Sequence, residues 1–162
     1  MKPTSPAQGD PPARPHRILL VPTDLDATSS ALPVALALAR ELRAEVVLAH
    51  VYRVPHYAYP SGDLVYIPRL QEEFVQATRR SLEELSTRAG GLRTVLREGE
   101  PATRILELID ELQPWMVVMG THGRRGLARL MLGSITERVV RRSPCPVLTV
   151  RLPAGATTRT AA

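Results

Sequence analysis

Apolar and polar positions along this chain fall into two alternating periods, short continuous apolar runs and longer stretches with apolar residues three and four apart. Ile18-Leu19-Leu20-Val21 is the first run, stopped by Pro22, and predicts a short buried strand. The next segment has cap candidates Asp26, Thr28 and Ser29, holds Pro33 in its first turn, and puts Leu32, Ala35, Leu36, Ala39 and Leu42 on one helical face. Residues 45–51 (EVVLAHV) predict a second strand. From Arg69 to Arg88 the spacing is helical, with Leu70, Phe74, Ala77, Ser81, Leu82 and Leu85 as the expected inner stripe and Gly90-Gly91 as the stop. Leu92 to Leu96 alternates, as a strand near a sheet edge does, and Ala102 to Leu112 is a helix after the turn Glu98-Gly99-Glu100-Pro101. Trp115 to Met119 predicts a fourth strand, Ser134 to Arg142 a helix with Ile135, Val139 and Val140 at helical spacing, and Pro146 to Val150 a fifth strand.

Five strands separated by helices predict an α/β fold, a parallel sheet with helices on both faces. Ligands of such sheets bind at the carboxyl ends of the strands, where the strand order reverses. The expected site wall is therefore Pro22-Thr23-Asp24 after strand one, His50-Val51 at the end of strand two, and residues 120–125 after strand four.

Composition adjusts this picture at its margins. The length of 162 residues suits one domain. Residues 1–15 and 153–162 are rich in Pro, Ala, Thr and Gly without periodicity and are expected to be disordered tails around a folded unit at 16–152. The formal charge is +5, and every basic residue except Lys2 is arginine, a bias that reflects coding composition more than a nucleic-acid surface. Aromatics for base stacking are scarce and no helix-turn-helix or zinc-finger pattern occurs, so nucleic acid is not an expected partner. Cys145, the single cysteine, cannot form an internal disulfide and reads as structural, which points to a reducing compartment. Neither a leader with an apolar core nor an apolar run near the roughly 20 residues of a membrane span is visible, so a soluble, cytoplasmic protein without a membrane partner is expected. Residues 53–68 hold three of the four tyrosines and three prolines, and predict a long loop or lid whose tyrosines either pack it onto the body or cover a ligand.

The stretch GTHGRRGLARLMLGS, residues 120–134, carries the most chemistry. Gly120 and Gly123 allow backbone N–H groups to approach an anion without a Cβ in the way, and Gly133-Ser134 stand at the start of a predicted helix, whose unpaired N–H donors favour phosphate. Arg124 and Arg125 add charge, and residues 120–151 hold seven arginines against one acid, Glu137, a field that attracts a small polyanion. The plain alternative is a glycine turn followed by a serine N-cap. Asp24 is placed either to accept a ribose hydroxyl or to cap the first helix; Val51 either offers its backbone to a purine edge or is an ordinary core residue; His122 either touches phosphate or is a solvated turn residue. Neither GxxxxGK[ST] nor GxGxxG occurs, and the histidines His16, His50, His56 and His122 lack the paired spacing of metal ligands. Ser134, His122 and Asp24 are residue types of a hydrolytic triad, but the GxSxG elbow is missing and no catalytic residue is assigned.

Over nearly all of residues 17–151 the chain resembles the universal stress protein family. The resemblance is carried by ILLVPTDLDATSSALPVALALARELRAEVVLAHV, by EGEPATRILELI, and by MVVMGTHGRRGLARLMLGSITERVVRRSPCPVLTV. Its most specific element is Gly-x2-Gly-x9-Gly-Ser, met by Gly120, Gly123, Gly133 and Ser134, which marks the ATP-binding members. The resemblance implies a Rossmann-like (flavodoxin-like) sheet of order 3-2-1-4-5, ATP with Mg²⁺ as cofactor, and a homodimer paired through the last strand, Val147 to Arg151. It places Pro22, Thr23 and Asp24 by the adenosine, Val51 at the adenine through its backbone, and Met119, Gly120, Gly123, Arg124, Gly133, Ser134 and Ile135 along the ribose and phosphates. The function so implied is an ATP-binding, nucleotide-dependent regulator in stress response with little or no hydrolysis. A slow ATPase on the same site and a nucleotide-independent dimeric interaction module are the competing readings. One departure stands out: the family's usual Asp before the fourth strand is Trp115 here, preceded by Pro114, which changes how the strand entrance is capped.

Overall fold

A computed structural model describes residues 17–25, 31–54, 57–58, 64–65, 68–121 and 133–151. The expected tails, the cap candidates Asp26, Thr28 and Ser29, and Gly123, Arg124 and Arg125 lie outside these residues. In chain order the elements are β1 (Ile18–Thr23), α1 (Ala31–Leu42), β2 (Glu45–Tyr52), β3 (Tyr57–Ala58), β4 (Leu64–Val65), α2 (Pro68–Arg88), β5 (Arg93–Glu98), α3 (Pro101–Leu112), β6 (Met116–Gly120), α4 (Ser134–Arg142) and β7 (Val147–Val150). Five of the strands form one parallel sheet in the order β5-β2-β1-β6-β7, the expected 3-2-1-4-5 arrangement of a flavodoxin-like fold.

The core lies in two layers because successive residues of a strand point to opposite faces. Leu19, Val21, Leu48 and Val118 pack with Ala31, Leu32, Ala35 and Ala39 of α1 and with Leu82 and Leu85 of α2. Leu20, Val47, Val117 and Met119 pack on the other face with Ile105, Leu108 and Ile109 of α3 and Val139 of α4. Strands β1, β2 and β6 are buried on both faces, which is why they read as unbroken apolar runs. β5, the edge strand, does not show the expected alternation: Thr94, Val95 and Leu96 are all half-buried between exposed ends, because Leu96 packs on one core layer and Val95 on the other.

Helix ends follow local chemistry. Arg43 takes a left-handed conformation (φ 51°) and the Ala44 N–H bonds back to the Ala39 carbonyl, closing α1; Gly90 (φ 100°) and the Gly91 N–H to the Ser86 carbonyl close α2 in the same way.

Four further expectations change. The first strand does not stop at Pro22: β1 continues to Thr23 along β2, pairing Pro22 with Ala49 and Thr23 with His50. The Glu45 N–H donates to the Arg17 carbonyl on the β2 side and the Trp115 N–H to the Ile18 carbonyl on the β6 side. Polar backbone groups alternate sides along a parallel strand, so Pro22, like Ile18 and Leu20, turns toward β6, and only there is its missing N–H felt.

Second, the inner stripe of α2 is Thr78, Leu82, Leu85 and Ser86, while Leu70, Phe74, Ala77 and Ser81 are exposed. Two hydroxyls occupy buried positions because each finds a carbonyl, Thr78 Oγ1 donating to Phe74 (2.8 Å) and Ser86 Oγ to Leu92 (2.7 Å), so the buried face does not spell an apolar pattern. Third, the segment 53–68 contains regular pairing, an antiparallel ladder of Tyr57 with Val65 and Ala58 with Leu64. Fourth, on α4 only Val139 and Thr136 face inward, with Ile135 and Val140 exposed.

Candidate functional site

The connection from β1 passes through α1 to β2 on one side of the sheet, whereas β6 lies on the other side of β1, so the strand order reverses between β1 and β6. Their ladder is short, Leu19 with Met116 and Leu20 with Val117, while β6 pairs with β7 as far as Gly120 with Val150. The next bond of the β1–β6 ladder would need an N–H at Pro22, which has none. The carboxyl ends of β1 and β6 therefore part at the position where an open α/β sheet holds its ligand.

Three strand ends and one helix start surround this crevice. At β6, Thr121 is buried and its N–H donates to the Val150 carbonyl (3.0 Å), while its own carbonyl accepts the Gly133 N–H (2.8 Å). The Thr136 hydroxyl donates to the Gly120 carbonyl (2.9 Å). The two ends of the 120–134 motif are thus bonded to each other and to the end of β6, which brings Gly120, Gly133 and Ser134 together. Gly133 is the N-cap of α4 and has no side chain to bond the first-turn donors, which corrects the serine-cap alternative: Ser134 is already helical and exposed. A glycine cap leaves N–H groups and the positive end of the helix dipole for an outside acceptor. Ser134, Glu137, Arg138, Arg141 and Arg142 share one exposed face of α4, which extends the basic field away from this helix start.

At the end of β1, Thr23 and Asp24 are half-buried, and Leu25 adopts a left-handed conformation (φ 66°) with its N–H donated to Thr23 Oγ1 (3.1 Å). A leucine in this region costs roughly 1–2 kcal/mol, so the turn is held by its surroundings, Leu25 itself packing against the α1–α2 core. At the end of β2, His50 Nδ1 lies 2.7 Å from the Thr23 carbonyl. Val51 follows the last β1–β2 pair and its side chain packs on the α3–α4 core; its N–H, turned to the β1 side as that of Glu45 is, closes the ladder at the Thr23 carbonyl, so its backbone carbonyl is the group left for a ligand. The Met119 side chain is buried in the same core. Ile135 is exposed on the first turn of α4.

Sequence reasoning did not single out Glu100, which joins three parts of this end of the molecule. Its carboxylate accepts N–H bonds from Ala102 (3.3 Å) and Thr103 (2.8 Å) and the Thr103 hydroxyl (2.7 Å), capping α3, and meets Arg138 of α4 at 3.0 Å and Arg53 beyond β2 at 3.7 Å. The available signal was an acid directly before Pro101, a proline at the first position of a helix. Burial works to raise the Glu100 pKa, but the Thr103 and Ala102 hydrogen bonds and the Arg138 charge together outweigh it and hold the carboxyl below its ordinary value. A lowered folded-state pKa contributes stability that is present above the unfolded value and lost as pH falls through the folded one. Glu100→Ala is expected to cost about 1 kcal/mol at neutral pH, the usual worth of a cap, the half-exposed ion pairs adding little. Urea unfolding of both proteins should show this difference shrinking as the pH falls below about 4.5, the ordinary glutamate value; a difference independent of pH would contradict the cap.

Trp115 at the foot of β6 is exposed, with the Arg17 guanidinium 5.5 Å from its ring centre, so a cation–π contact stands at the strand entrance where the family resemblance would have had Asp. Among the described residues no group of three His, Cys, Asp or Glu side chains is placed to hold a metal ion, and no helix is long and apolar enough to cross a membrane. Cys145 is half-buried, with its sulfur 3.4 Å from the Ser143 hydroxyl.

Comparison with known proteins agrees with this architecture. A universal stress protein of Methanocaldococcus jannaschii is 34% identical over 142 residues, covering 85% of this chain and 84% of its own. The solved universal stress protein UspA of Lactobacillus plantarum superposes with a TM-score of 0.63 at 23% identity, over 84% of this chain and 98% of its own, a likeness of fold. A universal stress protein solved in complex with cAMP has a TM-score of 0.56 at 26% identity, over 85% of this chain and 98% of its own. The universal stress protein family matches residues 15–151, and with the relative above this is sufficient: the chain belongs to the universal stress protein family.

Proposed function

We propose that this protein binds ATP in the crevice between β1 and β6 and acts as a nucleotide-dependent regulator in stress response, with little or no hydrolysis. The observation that carries the reading is the glycine-capped start of α4, bonded to the end of β6 across the crevice from Thr23-Asp24. A relative solved with cAMP supports an adenine nucleotide as the ligand class. In this reading the Asp24 carboxylate accepts a ribose hydroxyl beside Pro22 and Thr23, and the Val51 backbone meets the adenine edge. The backbone N–H groups of Gly120, Gly123, Ser134 and Ile135 donate to ribose and phosphates, Met119 and Gly133 line the same wall with their own N–H groups already bonded, and Arg124 supplies charge. Mg²⁺, where it accompanies ATP, is held through phosphate oxygens and water more than by protein carboxylates.

No general base is assigned, which favours retention of ATP over turnover. Strand β7 is a sheet edge, and pairing with the β7 of a second copy over Val147 to Arg151 would remove that edge and make a homodimer, in the cytoplasm. Thermal melts with and without Mg-ATP test the reading. At a hundred times Kd, ATP stabilises by about 2.7 kcal/mol, a rise of roughly 5–10 °C for a chain of this size. Gly123→Val should abolish the rise by placing a branched side chain among the phosphate donors. No shift in the wild type at millimolar ATP would sink the proposal and leave a nucleotide-independent dimeric module.

A further inference from the structure

We propose that His50 is a positioning residue for the nucleoside half of this site, an inference that rests on reading the crevice as an adenine-nucleotide site. His50 Nδ1 is 2.7 Å from the carbonyl of Thr23, the residue opposite it in the β1–β2 register. A carbonyl has no proton to give, so Nδ1 carries the hydrogen and donates it. The Thr23 carbonyl belongs to the peptide unit whose other end is the Asp24 nitrogen, so fixing that oxygen fixes the plane from which Asp24 departs.

The same threonine acts on the far side of Asp24. Its hydroxyl accepts the Leu25 N–H at 3.1 Å and holds Leu25 at φ 66°, a conformation that leucine adopts only under constraint. Asp24 is therefore flanked by two peptide units that are both anchored through Thr23, whose carbonyl is held from β2 twice, by the last bond of the β1–β2 ladder and by the His50 ring. Without the ring, a single terminal ladder bond holds that carbonyl at the end of a strand already deprived of a β6 partner at Pro22, and the Thr23–Asp24 peptide keeps the direction of the Asp24 carboxylate less firmly.

The prediction separates a positioning role from a purely structural one by which part of the ligand feels the loss. Isothermal titration of the full chain with AMP, ADP and ATP is expected to show His50→Ala weakening all three by the same factor, roughly five-fold, since the nucleoside is common to them and one hydrogen bond is lost. His50→Asn, which places an amide N–H near the position of Nδ1, should stay within about two-fold of the wild type. Amide exchange at Leu25 should quicken in His50→Ala and not in His50→Asn. Affinities unchanged in His50→Ala while the wild type binds would overturn the inference and leave the nucleotide reading standing, as would a loss that grows with the number of phosphates. Failure of the wild type to bind any of the three would overturn the nucleotide reading and this inference with it.

Discussion

Leu20→Ala is expected to lower stability by about 3 kcal/mol, with a melting temperature roughly 10 °C below that of the wild type. Leu20 is fully buried at the centre of the sheet, paired with Val47 on one side and Val117 on the other. Its side chain packs in the layer formed with Ile105, Leu108, Ile109 and Val139, so truncation opens a cavity that backbone pairing on both sides prevents from collapsing. Leu70→Ala is the matched control: Leu70 is 41% exposed at the start of α2, and its loss should fall within about 0.5 kcal/mol. Paired urea and thermal unfolding decides the matter. A Leu20→Ala cost below about 1 kcal/mol would mean that the central layer is not packed as described.

On the proposed reading of the crevice as an ATP site, Pro22→Val is expected to weaken ATP binding by roughly ten-fold while changing stability by less than about 0.5 kcal/mol. The valine N–H would face β6, where Val118 presents its carbonyl toward β1 because Val117 bonds to Pro146 on the opposite side. One further ladder bond would draw together the strand ends that must stay apart to admit a ligand. The bond gained, about 1 kcal/mol, is offset by the proline's advantage in the unfolded state, about 0.4–1 kcal/mol. Calorimetric titration alongside urea unfolding separates the two effects. Equal affinity in wild type and variant would show that Pro22 does not set the width of the crevice.

Most of the fold was legible because its causes are local. Buried parallel strands must be apolar on both faces, so β1, β2 and β6 announced themselves as runs, and the glycines after α2 marked its end through φ. The misreadings share a cause as well. Thr78 and Ser86 were overlooked in the α2 stripe because a satisfied hydroxyl packs inward as readily as a methyl group, and the satisfying carbonyl is visible only in three dimensions. Pro22 read as a stop because a sequence does not say which side of a strand lacks its partner.

The candidate site divides the same way. The glycine motif, the basic field and the residues following each strand were readable from spacing, since a helix start after a glycine-rich turn is a property of short stretches of chain. His50 against Thr23, Thr136 against Gly120, and Glu100 between Arg53 and Arg138 join residues 16 to 47 positions apart. The sequence by itself determined the element types, the two-layer core, the membership of the 120–134 motif and the strand ends that could meet a ligand, because each depends on the periodicity and chemistry of neighbouring residues. Only the tertiary structure decided that β1 and β6 part at Pro22, that α4 begins against Thr121, and that the β1 turn is held from β2, because those facts depend on which strands become neighbours once the chain crosses back over the sheet.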